Sequence, residues 1–193
     1  MNTQAHLNMR RLTECAVFVA LSLALSYLKI PIGFSFGGFG GSIDLVMIPL
    51  ILAAFRWGFG WGLGAGLVFG TLKFFFAGGS AVNWQSMLLD YSVAYMFVGF
   101  AGLLARRPGR LWLAALIGCL GRFLIHFISG ITIYAEYMYD IFDIPMTNTW
   151  VYSALYNGSY MLPNTVLAVL LCAFLEKPLR KQLYADLPLQ KEK

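Results

Sequence analysis

The chain has 193 residues, of which 59% are hydrophobic and only 12% are charged, and its mean hydropathy is +0.69. Average soluble domains are ~45–50% apolar and ~25% charged, so this composition excludes a water-soluble domain of the same size. The three cysteines are odd in number and show no CxxC spacing, which argues against a disulfide framework or a metal site.

Hydropathy predicts one integral-membrane domain over residues 1–193, an all-α bundle of six transmembrane helices. A span needs ~20 mostly apolar residues. The second candidate is shorter than that, so it must tilt or begin within the glycine-rich stretch Gly33–Gly41. In chain order the six predicted helices run from about Leu12 to Ile30, Ile43 to Phe55, Gly58 to Phe76, Ser86 to Leu104, Leu111 to Tyr134 and Tyr152 to Leu175.

Basic residues mark one side of the predicted bundle as cytoplasmic, because Lys and Arg collect in cytoplasmic loops. An even number of spans then places both termini in the cytoplasm, as tails over about 1–10 and 177–193. The net charge of +5 follows from this topology and gives no reason to expect nucleic-acid binding. Eleven of the 14 basic residues lie on this side: Arg10, Arg11, Arg56, Arg106, Arg107, Arg110, Lys177, Arg180, Lys181, Lys191 and Lys193.

Small residues predict close helix contacts, since they let membrane helices approach one another. Glycine recurs through the third span, at Gly58, Gly60, Gly62, Gly64, Gly66 and Gly70. The first span carries Ala16, Ala20 and Ala24, one small residue per turn along a single face. This alanine face either packs inside the bundle or forms a docking groove for a helix of another protein.

Ionisable residues inside apolar spans are costly, so each is a candidate functional residue. Arg122, His126, Gly130 and Tyr134 follow at four-residue spacing and form one stripe along the fifth span. The stripe faces either a wet cavity, with room for a ring at Gly130, or a structural polar seam. Asp90 lies in the fourth span, where its partner is either Arg122 in a buried ion pair or a cationic ligand. Its neighbour Tyr91 should point about 100° away on an α-helix.

The sixth span begins with aromatic residues, which an interfacial belt also explains, but the buried amide of Asn157 needs hydrogen-bond partners. Together the candidate residues comprise one acid, one Arg, one His, one Asn and many aromatic rings. This set suits a flat, aromatic, positively charged solute. No GxSxG, HExxH or paired carboxylates occur, and no P-loop is present, so the sequence predicts neither an enzyme nor an ATPase. The aromatic residues of this segment are Trp150, Tyr152, Tyr156 and Tyr160.

Five stretches resemble the thiamine-specific substrate-binding (S) subunits of energy-coupling factor transporters: RLTECAVFVALSLAL, GGSIDLVMIPLILAAFRWGF, LLDYSVAY, RFLIHFISG and WVYSALYNGSYMLPN. The resemblance covers nearly the whole chain. It implies a six-helix bundle in the cell membrane, with a high-affinity thiamine pocket near the outer face and no cofactor in the chain itself. It also implies that Ala16 and Ala20 dock on a transmembrane coupling subunit, which works with two cytoplasmic ATPases.

The resemblance also assigns pocket residues by position. Asp90 matches the pocket acid and would be the counter-ion of the thiazolium. Arg122 stands where some members have Lys, and Tyr134 and Phe69 where some have Trp. Trp84 and Trp150 are further candidates for enclosing the rings, and Gly33–Gly41 for a lid. Direct matches to pocket residues are Tyr91, His126, Tyr152 and Asn157.

Three other functions remain open from the sequence. A stand-alone secondary transporter of a small aromatic cation often shows internal repeats, and none is visible here. An intramembrane lipid-modifying enzyme needs a nucleophile–base pair or a metal cluster, and the few polar residues in the predicted spans hardly provide either. A non-transport assembly protein would use the polar seam only for packing.

Overall fold

The computed structural model describes residues 3–31, 41–141 and 145–185, and most of these residues are helical. The helices are α1 (Thr3–Leu25), α2 (Met47–Trp57), α3 (Phe59–Phe76), α4 (Trp84–Leu104), α5 (Leu111–Thr132), α6 (Thr149–Glu176) and α7 (Arg180–Tyr184), with a 3-10 turn at Tyr134–Tyr137. A two-residue antiparallel ladder pairs β1 (Ile30–Pro31) with β2 (Ser42–Ile43). The predicted helical class is therefore confirmed, with this small ladder as an addition.

Four helices in the described part of the chain are long and apolar enough to cross a membrane: α3, α4, α5 and α6. Helix α2 has 11 residues and spans only ~16 Å at ~1.5 Å per residue, about half of a ~30 Å hydrocarbon core. Helix α1 is 23 residues long, but Arg10, Arg11 and Glu14 lie in its first half. A multi-pass membrane protein is thus supported, while the predicted count of six spans rests on α1 and α2.

The helix ends differ from the sequence prediction mainly at the first span. Helix α1 begins at Thr3 and ends at Leu25, whereas Leu12–Ile30 was predicted. Residues 3–10, predicted to be a tail, are helical, because the polar first turns continue the same helix. At the other terminus the tail predicted over 177–193 includes α7, and its residues 186–193 lie outside the described part.

Glycines bring α3 and α4 into backbone contact. At Gly66 and Gly70 of α3 an added Cβ would overlap α4, and at Gly62 it would overlap Ala54 of α2 and approach Gly99 of α4. At Gly66 it would strike the carbonyl oxygen of Tyr95, and at Gly70 that of Tyr91. Gly60 and Gly64 meet open space instead. The predicted close approach of helices is therefore confined to one face of α3. This contact fixes the positions of Tyr91 and Tyr95 on α4.

Helix α4 is irregular where its acid lies. Asn83 caps its start by accepting the Ser86 backbone N–H at 2.8 Å. Leu88–Val93 then forms a π-helical segment, and Gly99–Leu104 closes the helix with 3-10 geometry. In an α-helix, residues five apart point about 140° away from each other, whereas a π turn, with its i→i+5 bonding, brings them nearly into line. The segment therefore lets Asp90 share a face with Tyr95.

The alanine face of α1 lies on the outside of the bundle. Ala16, Ala20 and Ala24 are all exposed. Val17 and Leu21 beside them are also exposed, so the face is apolar. The interpretation that these alanines pack inside the bundle is therefore wrong.

Candidate binding site

A cavity of about 370 Å³ opens between α3, α4, α5, α6 and the β ladder. Its volume lies in the range of small-molecule sites, ~300–1,000 Å³. Among the described residues the lining contains six tyrosines, three basic side chains and one carboxylate, that of Asp90. The tyrosines are Tyr91, Tyr95, Tyr134, Tyr152, Tyr156 and Tyr160, and the basic residues are Lys29, Lys73 and Arg122.

Asp90 is linked to Arg122 through a histidine. His126 Nδ1 lies 3.1 Å from Asp90 Oδ1, and Arg122 Nε donates to His126 Nε2 at 3.3 Å. Because Nε of arginine can only donate, His126 Nε2 must accept, so its Nδ1 carries the proton and donates to Asp90. The imidazole is then neutral. The direct Asp90–Arg122 ion pair considered from the sequence is not among the contacts of the described residues, and the Asp90 carboxylate lines the cavity.

The guanidinium of Arg122 stacks on the ring of Tyr95 in α4. Its central carbon lies 4.2 Å from the centroid of the Tyr95 ring, a cation–π contact that holds the Arg122 guanidinium against that ring. Phe69 of α3 is fully buried and supports the same ring edge-on, with centroids 4.7 Å apart. Phe69 therefore lies behind the cavity wall and contributes to the site through Tyr95.

Lys73 is neutralised within the protein. Its Nζ lies 3.3 Å from Asp44 Oδ2 and donates to the Tyr95 hydroxyl at 2.6 Å. Asp44 also accepts the Ser42 hydroxyl at 3.1 Å, and its backbone N–H donates to Asn164 Oδ1 at 2.9 Å. These bonds tie β2 to α3 and α6 at the base of the cavity. Since Asp44 and Lys73 satisfy each other, the charged groups of the described lining that remain for a ligand are Asp90, Lys29 and Arg122, and Asp90 is the carboxylate among them.

Helix α6 contributes a ladder of tyrosines at one per turn. The Tyr152 and Tyr156 rings are parallel within 5°, with centroids 5.9 Å apart, and Tyr160 follows edge-on at 6.0 Å. Tyr139, in the connection before α6, packs edge-on against both Tyr152 and Tyr156. Burial raises the pKa of the Tyr139 phenol, so the group stays neutral. The ladder forms one wall of flat aromatic surface.

Asn157 joins α5 to α6. Its Nδ2 donates to the backbone oxygen of His126 at 3.2 Å and to that of Ser153 at 3.0 Å. Its Oδ1 accepts the Tyr160 hydroxyl at 2.6 Å. The room that was expected at Gly130 is taken by Ser153, since a Cβ there would collide with the Ser153 hydroxyl. Gly130 thus serves the helix contact that holds His126 and Asn157 together.

The structure brings most of the sequence-predicted residues to the cavity and leaves three outside its lining. Phe69 lies behind the wall, and Trp84 and Trp150 are 66% and 61% exposed. Of the candidate lid Gly33–Gly41, only Gly41 is described, and it lines the cavity, while residues 33–40 lie outside the described part. The residues in the lining are Asp90, Tyr91, Arg122, His126, Tyr134, Tyr152 and Asn157.

The sequence list omitted Lys73, Tyr95, Tyr156 and Tyr160, which also line the cavity. Two signals could have found some of them. Lys73 is the one charged residue of α3, and Tyr95 follows Tyr91 by four positions. Nothing in the sequence spacing links Lys73 to Asp44, which lies 29 positions earlier.

Replacing Trp84 or Trp150 with Phe should leave the affinity for any ligand of this cavity within about twofold, because neither ring reaches the lining. Titration calorimetry on the two purified single variants measures this. A tenfold loss in either variant would mean that the exposed ring closes over the ligand.

The model of the family described as "thiamine transporter protein" (Thia_YuaJ) matches residues 12–183. The chain belongs to this family. It is 32% identical over 181 residues to the thiamine transporter ThiT of Bacillus subtilis, covering 84% of this chain and 88% of that protein. It is 29% identical over 189 residues to ThiT of Lacticaseibacillus paracasei, covering 89% of each.

A solved structure has the same fold as this chain. ThiT from Listeria monocytogenes superposes with a TM-score of 0.78 at 25% identity, covering 91% of this chain and 98% of that one. The resemblance to this transporter family, identified from sequence motifs, is therefore confirmed, as is the multi-pass location in the cell membrane. Because the family and both curated relatives are named as transporters, the prediction of a non-enzymatic protein is also confirmed.

Proposed function

We propose that the chain is the substrate-capture subunit of an energy-coupling factor importer and binds thiamine in the cavity described above. The observation that carries this is one carboxylate, Asp90, facing a tyrosine-lined cavity whose other acid–base pair, Asp44 and Lys73, is already closed. A flat cationic heteroaromatic molecule complements such a site. The relatives named as thiamine transporters support thiamine as that molecule.

The lining suggests how thiamine is recognised. Asp90 supplies the counter-charge of the thiazolium ring. The rings of Tyr134 and Tyr152 line the cavity and can enclose the two heterocycles. Aromatic contact with a desolvated cation contributes up to ~2 kcal/mol. His126 is bonded to Asp90 and Arg122, and Asn157 is bonded to α5 and to Tyr160, so these two residues fix the polar end of the cavity. A polar end favours a solute with hydrogen-bonding groups over an apolar cation.

The cavity lies toward the extracellular side in this proposal. Helix α4 begins near the cavity and ends at Leu104, next to Arg106 and Arg107. Helix α5 begins at Leu111 beside Arg110 and ends just before Tyr134, which lines the cavity. The arginines therefore mark the opposite end of both helices. The preference of Lys and Arg for the cytoplasmic side supports six spans, with both termini in the cytoplasm.

Energy comes from partners in this proposal. The sequence has no P-loop, so ATP hydrolysis belongs to two cytoplasmic ATPases that act through a transmembrane coupling subunit. The exposed alanine face of α1 is the surface proposed to dock on that subunit. Small side chains there let a partner helix approach closely.

Titration calorimetry of the purified chain with thiamine tests the binding function, with riboflavin and biotin as controls. Thiamine should bind at a ratio of one to one, and the two control vitamins should give no heat of binding. Binding of riboflavin or biotin but not thiamine would contradict the proposed substrate.

Proteoliposomes containing this chain alone test the need for partners. The chain should bind thiamine but should not accumulate it against a gradient, because it has no energy source. Accumulation driven by an ion gradient would instead favour the stand-alone secondary transporter. Turnover of a lipid substrate would favour the lipid-modifying enzyme.

A further inference from the structure

The cavity has an exposed end and a buried end. The lining residues Lys29 and Ser80 are exposed. Lys73, Tyr95 and Arg122 also line the cavity but are buried, and only 1% of the Tyr95 surface is exposed. We name these three residues the cavity floor. A ligand group that reaches the floor leaves bulk water, so the protein has to satisfy its hydrogen-bonding atoms.

Lys73 fixes the direction of hydrogen bonding at the Tyr95 hydroxyl. Its Nζ lies 2.6 Å from the hydroxyl oxygen, and an ammonium group can only donate. The oxygen therefore accepts from Lys73, and the hydroxyl hydrogen points elsewhere. In the described part of the chain no group accepts this hydrogen. Because Tyr95 lines the cavity, the acceptor has to be water or a bound ligand.

A second donor on the floor is also unpaired. Arg122 Nε donates to His126 Nε2 at 3.3 Å, but Arg122 Nη1 is buried and bonds to no described residue. The same guanidinium stacks on the Tyr95 ring, with its central carbon 4.2 Å from the ring centroid. Buried donors cost free energy when no acceptor reaches them. A ligand that displaces water from the floor therefore has to bring an acceptor.

The Tyr95 hydroxyl is held in this direction before a ligand binds. Phe69 packs edge-on against the Tyr95 ring, with centroids 4.7 Å apart. The Tyr95 backbone lies so close to α3 that a Cβ at Gly66 would overlap its carbonyl oxygen. With Lys73 bonded to the hydroxyl and Arg122 against the ring, the side chain is held by four neighbours. A hydrogen bond to a ligand then requires no rearrangement of the protein.

Charge decides which part of the ligand lies on the floor. Arg122 repels a cationic ring and Asp90 attracts it, and the His126 imidazole bonds to both residues from between them. If thiamine is the ligand, its thiazolium is directed to Asp90, and the uncharged aminopyrimidine is left for the floor. This second ring carries two ring nitrogens whose lone pairs are hydrogen-bond acceptors.

We propose that Tyr95 is a specificity-determining residue whose hydroxyl donates a hydrogen bond to a ring nitrogen of the aminopyrimidine. The inference rests on the proposed function, since it takes thiamine as the ligand. Lys73 is the positioning residue in this arrangement, because its bond to the hydroxyl oxygen makes Tyr95 a donor. A heterocycle without an acceptor at this place would leave the Tyr95 donor unpaired and would bind more weakly.

Titration calorimetry tests this hydrogen bond with thiamine and two analogues, each of which has CH in place of one pyrimidine ring nitrogen. Tyr95→Phe should bind thiamine about fivefold more weakly than the parent does, the usual contribution of one neutral hydrogen bond. One of the two analogues should bind the parent about fivefold more weakly than thiamine does. That analogue and thiamine should bind Tyr95→Phe equally well, because the two changes remove the same bond.

Tyr184→Phe is the matched control. It removes a tyrosine hydroxyl that donates to Glu176, and neither residue is in the cavity lining. This variant should bind thiamine and both analogues as the parent does. A fivefold loss here as well would show that removal of any bonded tyrosine hydroxyl weakens binding, and it would overturn the proposal.

Two further results would also overturn it. Tyr95→Phe could bind thiamine as tightly as the parent does, or each analogue could lose the same factor in the parent and in the variant. In both cases a parent that binds thiamine leaves the proposed function intact, whereas a parent that does not bind thiamine rejects the proposed function itself.

If Tyr95→Phe does not fold, 3-fluorotyrosine introduced in place of Tyr95 keeps the ring and the hydroxyl. The fluorine makes the hydroxyl a stronger donor. The affinity for thiamine should then rise, and the affinity for the analogue that lacks the bonded nitrogen should stay the same. Equal changes for thiamine and both analogues would overturn the proposal.

Discussion

Replacing Asp90 with Asn should weaken thiamine binding by about two to three and a half orders of magnitude. Removing one partner of a buried charge pair costs ~3–5 kcal/mol, and each ~1.4 kcal/mol is a factor of ten. The amide oxygen of Asn can still accept the His126 Nδ1–H bond that Asp90 accepts at 3.1 Å. The substitution therefore removes the charge and preserves the local hydrogen bond. Titration calorimetry with thiamine measures the loss.

Two controls separate the effect of charge from damage to the fold. Asp140→Asn makes the same chemical change at an exposed position in the connection between α5 and α6 and should leave the affinity unchanged. The uncharged aminopyrimidine portion of thiamine should lose far less affinity than thiamine does in Asp90→Asn. If thiamine binds this variant as tightly as it binds the parent protein, Asp90 is not the counter-ion.

Replacing Gly66 with Ala should destabilise the bundle and also lower its affinity for thiamine. The new methyl group would overlap the Tyr95 carbonyl and the Met96 backbone of α4. Overpacking of this kind typically costs ~1–3 kcal/mol. Because the overlap is with backbone, which has no rotamer to change, α3 and α4 must separate. Tyr91 and Tyr95, which line the cavity, would move with α4.

Gly64→Ala is the matched control for this prediction. Gly64 lies two positions away in the same helix, and a Cβ there meets nothing within 4 Å. Ala at such a site usually stabilises a helix by ~0.4–1 kcal/mol. Thermal unfolding of both variants in detergent, with and without thiamine, should show a lower Tm for Gly66→Ala only. Equal Tm values would mean that the α3–α4 contact is looser than the structure shows.

Hydropathy and charge predicted much of the fold and several residues of the cavity lining. Asp90, Arg122 and His126 could be identified because ionisable groups in apolar segments must face the interior, and all three line the cavity. Trp84 and Trp150 were candidates only as further aromatic rings that could enclose the ligand. Exposed rings at the interface have that pattern too, so sequence could not separate them from the cavity wall.

Other features depend on contacts that a sequence pattern does not encode. The placement of Lys73 at the cavity follows from its pairing with Asp44 across the bundle. The role of His126 between Asp90 and Arg122 follows from the spacing between α4 and α5. The relative direction of Asp90 and Tyr91 was estimated for an α-helix, and the π-helical segment changes it.

That π-helical segment, Leu88–Val93, holds one residue more than an α-helix needs to bring Asp90 and Tyr95 to one face. Loss of one codon within it, such as that for Ser92, would let ordinary α-helical bonding continue through the segment. Asp90 would then lie four positions before Tyr95, a separation of about 40° on an α-helix. Such a protein should keep its acid in the cavity, whereas a deletion in a regular part of a span would rotate one half of that helix by about 100° against the other.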